Sequence, residues 1–217
     1  MLDNKIFYNI QKSFENKDLT ILEKCFYELL QLVKDTSYLD DKTFFHPLGF
    51  IYSKLFEFPN SNTLRLHIWD KERWYQEPLM DIHNHYYTVN SYIISGKMTN
   101  ILYKLNPDKE PNYAVYVGSY NSKSERTLKK TDKKLHAEIS EIQEIETGNL
   151  YHITTDKLHS SSIPMDKFTC TLVYTSDPGN PEPLVLGPLN GEREYHYANN
   201  LVDKQTVSSL MEQLANR

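Results

Sequence analysis

Cysteine is nearly absent from this chain. Its 217 residues include two, Cys25 and Cys170, which makes no disulfide framework and fits a reducing compartment. Long apolar runs are missing too: none approaches the roughly 18 residues that a membrane-spanning helix needs. The amino-terminal stretch Met1-Leu2-Asp3-Asn4-Lys5 has neither the basic start nor the apolar core of a secretory signal. There is no internal repeat, no low-complexity tract and no basic helix-turn-helix pattern. The expectation is a soluble, cytoplasmic protein without a membrane or nucleic-acid partner.

Hydrophobic residues make up 39% of the chain and the formal charge is −5. A chain of this length buries roughly 70% of its unfolded surface, enough for one domain with a real core. Lys129, Lys130, Lys133 and Lys134 form the densest basic run, after a Ser- and Asn-rich stretch, and are expected at a solvated hairpin end.

Ile6, Ile10 and Phe14, then Leu22, Phe26, Leu29, Leu30 and Val33, recur at helical spacing on either side of Asn16-Lys17-Asp18, so two helices are expected first. From Phe50 the pattern changes to short alternating or β-branched runs divided by Pro, Asn, Asp and Gly. The clearest span 63–69, 88–105, 113–120, 135–146, 150–154 and 168–175. Close strand spacing with few helices between argues for a mainly β, antiparallel sandwich or barrel. A last amphipathic helix is expected at Val207 to Leu214. The organisation expected is a helical segment at 1–45, a β-barrel at 46–180 and a carboxy-terminal extension at 181–217, in one compact domain.

His83-Asn84-His85 is the stretch that points to chemistry. Two histidines at i and i+2 on a strand project from one face, so both imidazoles can reach one metal ion. The same parity puts Tyr87, Val89, Ser91 and Ile93 on their side.

Residues 60 to 176 resemble the cupin family, whose two signatures run Gly-x5-His-x-His-x3-Glu-x6-Gly and Gly-x5-Pro-x-Gly-x2-His. His83, His85 and Gly96 fall in register with the first, Gly148 and His159 with the second. Glu77, Val89, Thr154 and Asp156 stand where the family has Gly, Glu, Pro and Gly. The resemblance implies a jelly-roll barrel, and metal ligands His83, His85 and His159. With Val89 in place of a carboxylate the ligands are three neutral imidazoles, and the ion keeps its full +2 charge. Fe(II) suits such a site; Zn, Ni, Co, Cu and Mn would bind as well.

Among three-histidine cupins the chain resembles the cysteine dioxygenase group most. That resemblance implies Arg65 as the clamp for a substrate carboxylate and Tyr174 as a hydroxyl donor to substrate or oxygen. The family's Ser-x-His-x-Tyr relay would fall on Cys170, Leu172 and Tyr174, so only the tyrosine matches. His67 shares Arg65's strand face and would orient a ligand or substrate. Trp69, Trp74, Tyr86 and Tyr87 are placed to line a pocket mouth or to pack, and Tyr87, Val89 and Trp69 join the expected substrate-binding set. Arg193 is a second cation if the carboxy-terminal segment closes over the mouth. The expected function is a non-haem Fe(II) dioxygenase of a small carboxylate-bearing substrate, as monomer or homodimer. The alternatives are a metal-dependent isomerase, epimerase or lyase with Asp81 or Glu77 as base, and a small-molecule-binding cupin without turnover.

Overall fold

The computed structural model describes residues 3–73, 76–121, 125–164 and 168–216. Ile6, Phe7, Ile10 and Phe14 bury one face of α1 (Lys5–Asn16). Lys17, in the left-handed region at φ 55°, ends it. Asp18 then opens α2 (Leu19–Val33), its carboxylate accepting from the Ile21 N–H at 3.1 Å, which meets one of the unsatisfied donors of a helix start. The break expected at Asn16-Lys17-Asp18 is therefore a C-cap followed directly by an N-cap.

Strand makes up 44% of the chain and helix 19%, in two antiparallel sheets. The six-stranded sheet runs in the order β1 (Thr43–His46), β2 (Phe50–Glu57), β3 (Thr63–Trp69), β12 (Thr169–Ser176), β5 (Thr88–Ser95), β10 (Leu150–Ile153). The eight-stranded sheet runs β14 (Glu194–Tyr197), β8 (Arg126–Leu135), β7 (Tyr113–Tyr120), β13 (Leu184–Gly187), β4 (Ile82–His83), β11 (Leu158–Ser162), β6 (Lys97–Leu105), β9 (Ala137–Glu146). These are separate sheets with β1, β10, β14 and β9 at their edges, so the expected closed barrel is corrected to an antiparallel sandwich. The chain changes sheets at corners, and corners do not form the ladder that would close a cylinder. Residues after 180 supply β13, between β4 and β7, and β14, beside β8, so this segment is woven into the sandwich.

Strand alternation sorts the six-stranded sheet. Leu64, Leu66 and Ile68 of β3, Cys170, Leu172 and Tyr174 of β12, and Tyr92 and Ile94 of β5 face outward. They form one core with α1, α2 and α3 (Lys204–Ala215). The terminal helices exist to cover that apolar face. Arg65, His67, Val89 and Val173 take the opposite parity and face the other sheet. No helix among the described residues is long and apolar enough to cross a membrane. The lysine run lies along β8 and not at a hairpin tip; Lys129 pairs with Val117 on one side and Glu194 on the other.

Two glycines position the site from a distance. Gly96 turns the chain from β5 into β6 and Gly148 from β9 into β10, each at φ +84° and each at a crossing between sheets. The Gly96 carbonyl accepts from the Thr147 N–H at 3.1 Å and hydroxyl at 2.9 Å, so the two corners are stitched side by side. A Cβ on Gly96 would meet the Phe168 carbonyl oxygen at 2.4 Å, whereas one on Gly148 meets nothing within 4 Å. Gly148→Ala should therefore cost only its backbone strain, about 1 kcal/mol, and Gly96→Ala about 3 kcal/mol or more. Urea denaturation checks this; equal costs would mean that the Gly96 corner relaxes freely.

Candidate metal centre

The expected single strand through His83, His85 and Val89 is two. β4 ends at His83 in one sheet and β5 begins at Thr88 in the other, so the chain passes from one sheet to the other between them and the shared strand face expected for these residues does not exist. Asn84 holds the crossing: its N–H donates to the Leu184 carbonyl at 3.1 Å, and its side-chain oxygen accepts from the Leu184 N–H at 2.6 Å. The Tyr86 carbonyl accepts from the Gly179 N–H at 2.9 Å. Backbone groups that leave the ladder are met by the segment around 179–184. His159, on β11, pairs directly with His83.

The result is still the convergence that the sequence motif requires. His83, His85 and His159 each offer a ring nitrogen, and these three atoms lie within 4.8 Å of one another. No other set of three or more His, Cys, Asp or Glu among the described residues is so placed. Their hydrogen bonds fix which nitrogen faces inward. His83 Nδ1 lies 2.7 Å from the Asp81 carbonyl oxygen and His159 Nδ1 2.9 Å from Asn100 Oδ1. Both acceptors call for Nδ1–H, leaving each Nε2 with a free lone pair. His85 Nε2 sits 2.9 Å from His159 Nε2. Two metal–nitrogen bonds of about 2.0–2.1 Å at a right angle place their nitrogens about 2.9 Å apart, so this pair already has the spacing of adjacent ligands.

Burial keeps the imidazoles neutral. It holds His83 down to about 4, with the Arg126 charge adding to the effect. Burial and the neighbouring imidazoles hold His85 and His159 well below the usual histidine range. Neutral imidazole is the form that binds metal.

Beside the triad, Arg65 and Tyr87 come together. Arg65 Nη1 donates to the Tyr87 hydroxyl at 2.8 Å and Nε to Thr63 Oγ1 at 2.8 Å; the Tyr87 ring stacks on His85 at 5.6 Å between centroids and 15° between planes. No carboxylate within ion-pair distance of Arg65 is found among the described residues, although its charge adds to that of Lys54 in lowering the Glu57 carboxyl. His67 packs edge-on to Trp69 and against Phe50, and burial lowers it to about 3, with Arg65 contributing. Val89 is buried with Ile153 and Val173, and Tyr87 and Leu102 pack against them. Trp69 is buried with Phe50, Ile93 and Met98 at the inter-sheet core, a packing role and not a pocket mouth.

Tyr174 does not join the site. The odd-even alternation of β12 turns it outward, where its hydroxyl accepts from Asn62 Nδ2 at 2.8 Å and Gln11 Nε2 at 3.1 Å and its ring stacks on Phe14. The expected hydroxyl donor is thus corrected to a residue that docks α1. Tyr86 is exposed, Trp74 lies outside the described residues, and Glu77 and Arg193 are exposed. His136, His152 and His196 bond to Glu110, Asn90 and Thr127 and take no part.

No family model matches this chain. No curated protein matches it either.

Three residues escaped the sequence reading. Asn100, completely buried on β6, orients His159 and is itself held by Gln143 at 3.0 Å from its Nδ2; its signal was a lone amide at an inward position between Met98 and Leu102. His46 stacks on Phe50, 4.3 Å between centroids, and Arg126 lines a cleft with His83. Neither had a local signal, because each is brought in by a distant strand. On the inner face of β12, Thr171 Oγ1 is buried without a hydrogen-bond partner. Thr171→Val keeps the shape and removes that stranded hydroxyl, so the urea-unfolding free energy should rise by about 1 kcal/mol; a fall would mean that the hydroxyl has a buried water as partner.

Proposed function

We propose that this protein is a metal-dependent dioxygenase of the cupin type, acting on a small carboxylate-bearing substrate, with Fe(II) held by His83, His85 and His159. The observation that carries this reading is the juxtaposition of three converging neutral imidazoles with an interior guanidinium, Arg65, joined to them through Tyr87. Fe(II) bound by three neutral ligands supplies open positions for substrate and dioxygen and the electrons that dioxygen chemistry needs. The protein's part is positional. Arg65 retains donors for a substrate carboxylate after its bonds to Thr63 and Tyr87. Tyr87 fixes the guanidinium relative to His85, and Val89, with the residues packed about it, excludes water from one wall.

A second reading has one specific support. Asp81, whose carbonyl orients His83, has a half-buried carboxyl raised above the ordinary range by burial, as a general acid or base of a metal-dependent isomerase or lyase would need. Anaerobic reconstitution with Fe(II), followed by oxygen-electrode assays against small thiols and carboxylates, separates the two. The dioxygenase reading expects stoichiometric iron and substrate-dependent oxygen uptake that His159→Ala abolishes. Bound iron with no uptake across the panel would favour the isomerase or lyase, and absence of any bound metal would overturn both.

A further inference from the structure

The hydrogen bond that orients His159 is the first of a series. His159 Nδ1–H donates to Asn100 Oδ1 at 2.9 Å, Asn100 Nδ2 to Gln143 Oε1 at 3.0 Å, and Gln143 Nε2 to Glu141 Oε1 at 2.9 Å. Strand pairing places each link. Asn100 pairs with Ser161 on β11, which sets it diagonally across from His159, and lies directly opposite Gln143 on β9. Glu141 is two residues from Gln143 and shares its strand face. The register between β6 and β9 is unbroken from Lys97 to Leu102, and the bulge comes only past Glu141, at Ser140, so nothing interrupts that face.

Every donor in this series points the same way, outward from the histidine to a carboxylate on an edge strand. Aligned hydrogen bonds polarise one another, and a histidine whose N–H is drawn toward a carboxylate is a more basic ligand at its other nitrogen. His83 differs, because its Nδ1 meets the backbone carbonyl of Asp81. Burial alone does not call for the last link. Gln143 Oε1 already satisfies the buried Asn100 amide, whereas Gln143 is half-buried and Glu141 exposed, so water could serve both. We propose that Gln143 and Glu141 are positioning residues for His159, a relay through Asn100 that carries the field of a surface carboxylate to the site and makes His159 a stronger metal donor than His83. This deepens the dioxygenase reading by naming what tunes its metal, and it rests on that reading for the chemistry; the relay itself belongs to the metal-free protein.

The test combines NMR of the imidazole N–H protons in the metal-free protein, assigned with His159→Ala, and competitive titration with Zn(II). Glu141→Gln keeps the size of the side chain and an acceptor oxygen but removes the charge. It should move the His159 Nδ1 proton upfield while that of His83 stays in place, and weaken Zn(II) binding by about threefold, the scale on which one exposed charge acts in water. Adding Gln143→Glu to Glu141→Gln brings the carboxylate one link closer to Asn100 and should restore both the resonance and the affinity. A His159 proton that Glu141→Gln leaves unmoved, or a double variant no better than the single one, overturns the proposal. The two readouts also separate the two readings: a protein that binds no metal would sink the dioxygenase, while the metal-free resonances would still decide for or against the relay.

Discussion

Saturating the metal-free protein with a divalent ion is expected to stabilise it by about 4 kcal/mol at a free concentration a thousand times the dissociation constant, because the ion binds the folded state and not the unfolded chain. The structure gives the reason for a large effect. One ring nitrogen of each histidine already lies within 4.8 Å of the others, and Asp81 and Asn100 set the tautomers of His83 and His159, so little ordering remains for the ion to impose. His159→Ala should abolish the shift. Asn100→Ala is the finer test, since its side chain touches no metal ligand atom yet holds His159 by Nδ1; the expected loss is ten- to a hundredfold in metal affinity with the fold retained. Thermal melts with Co(II) and Zn(II), beside anaerobic titration with Fe(II), measure both effects. A melting temperature indifferent to every ion would sink the site, and an Asn100→Ala variant with unchanged affinity would reduce Asn100 to a packing residue.

How much of this was legible in the sequence follows from the range of the signals. Helical spacing at Ile6, Ile10 and Phe14, and alternation along 63–69, are written within one element, and both elements are where the pattern put them. The three histidines were legible because fixed spacings tie each to a glycine corner, and Gly96 and Gly148 meet in space through Thr147. What failed were statements about direction. His83 to Ile93 alternates well enough to read as one strand, but local alternation does not reveal a crossing between sheets, and here the chain leaves the ladder at Asn84. Tyr174 carries the right residue at a strand end, yet whether a position faces the interior or the helices depends on its parity with Leu172 and Cys170, which join the helix-covered core. Arg126 and His46 were illegible for a third reason. Arg126 comes beside His83 from β8, and His46, on β1, lies near enough to feel the His83 charge; both elements are far from His83 in sequence, and only tertiary packing brings them near.

That same packing predicts how the metal-free protein responds to acid. Five interior imidazoles, His46, His67, His83, His85 and His159, are all held below the ordinary histidine value of 6.5, with burial the leading cause in each. The unfolded chain takes up protons as pH falls through about 6.5, while folded His67 waits until about 3 and folded His83 until about 4. Between those limits the unfolded state binds more protons, so stability is complete above about 6.5 and is lost as pH drops toward the folded values. At pH 5 each of these two groups costs about 2 kcal/mol, and about 4 kcal/mol together is expected relative to pH 7.5, a large share of a small domain's stability. His67→Gln removes one proton acceptor outside the ligand triad, so its loss between pH 7.5 and pH 5 should shrink by about 2 kcal/mol, while its stability at pH 7.5 reports separately on lost packing against Phe50 and Trp69. Urea denaturation of the metal-free protein at a series of pH values measures both. A flat profile from pH 7.5 to 5 would mean that water enters the space between the sheets and that these imidazoles ionise as freely folded as unfolded.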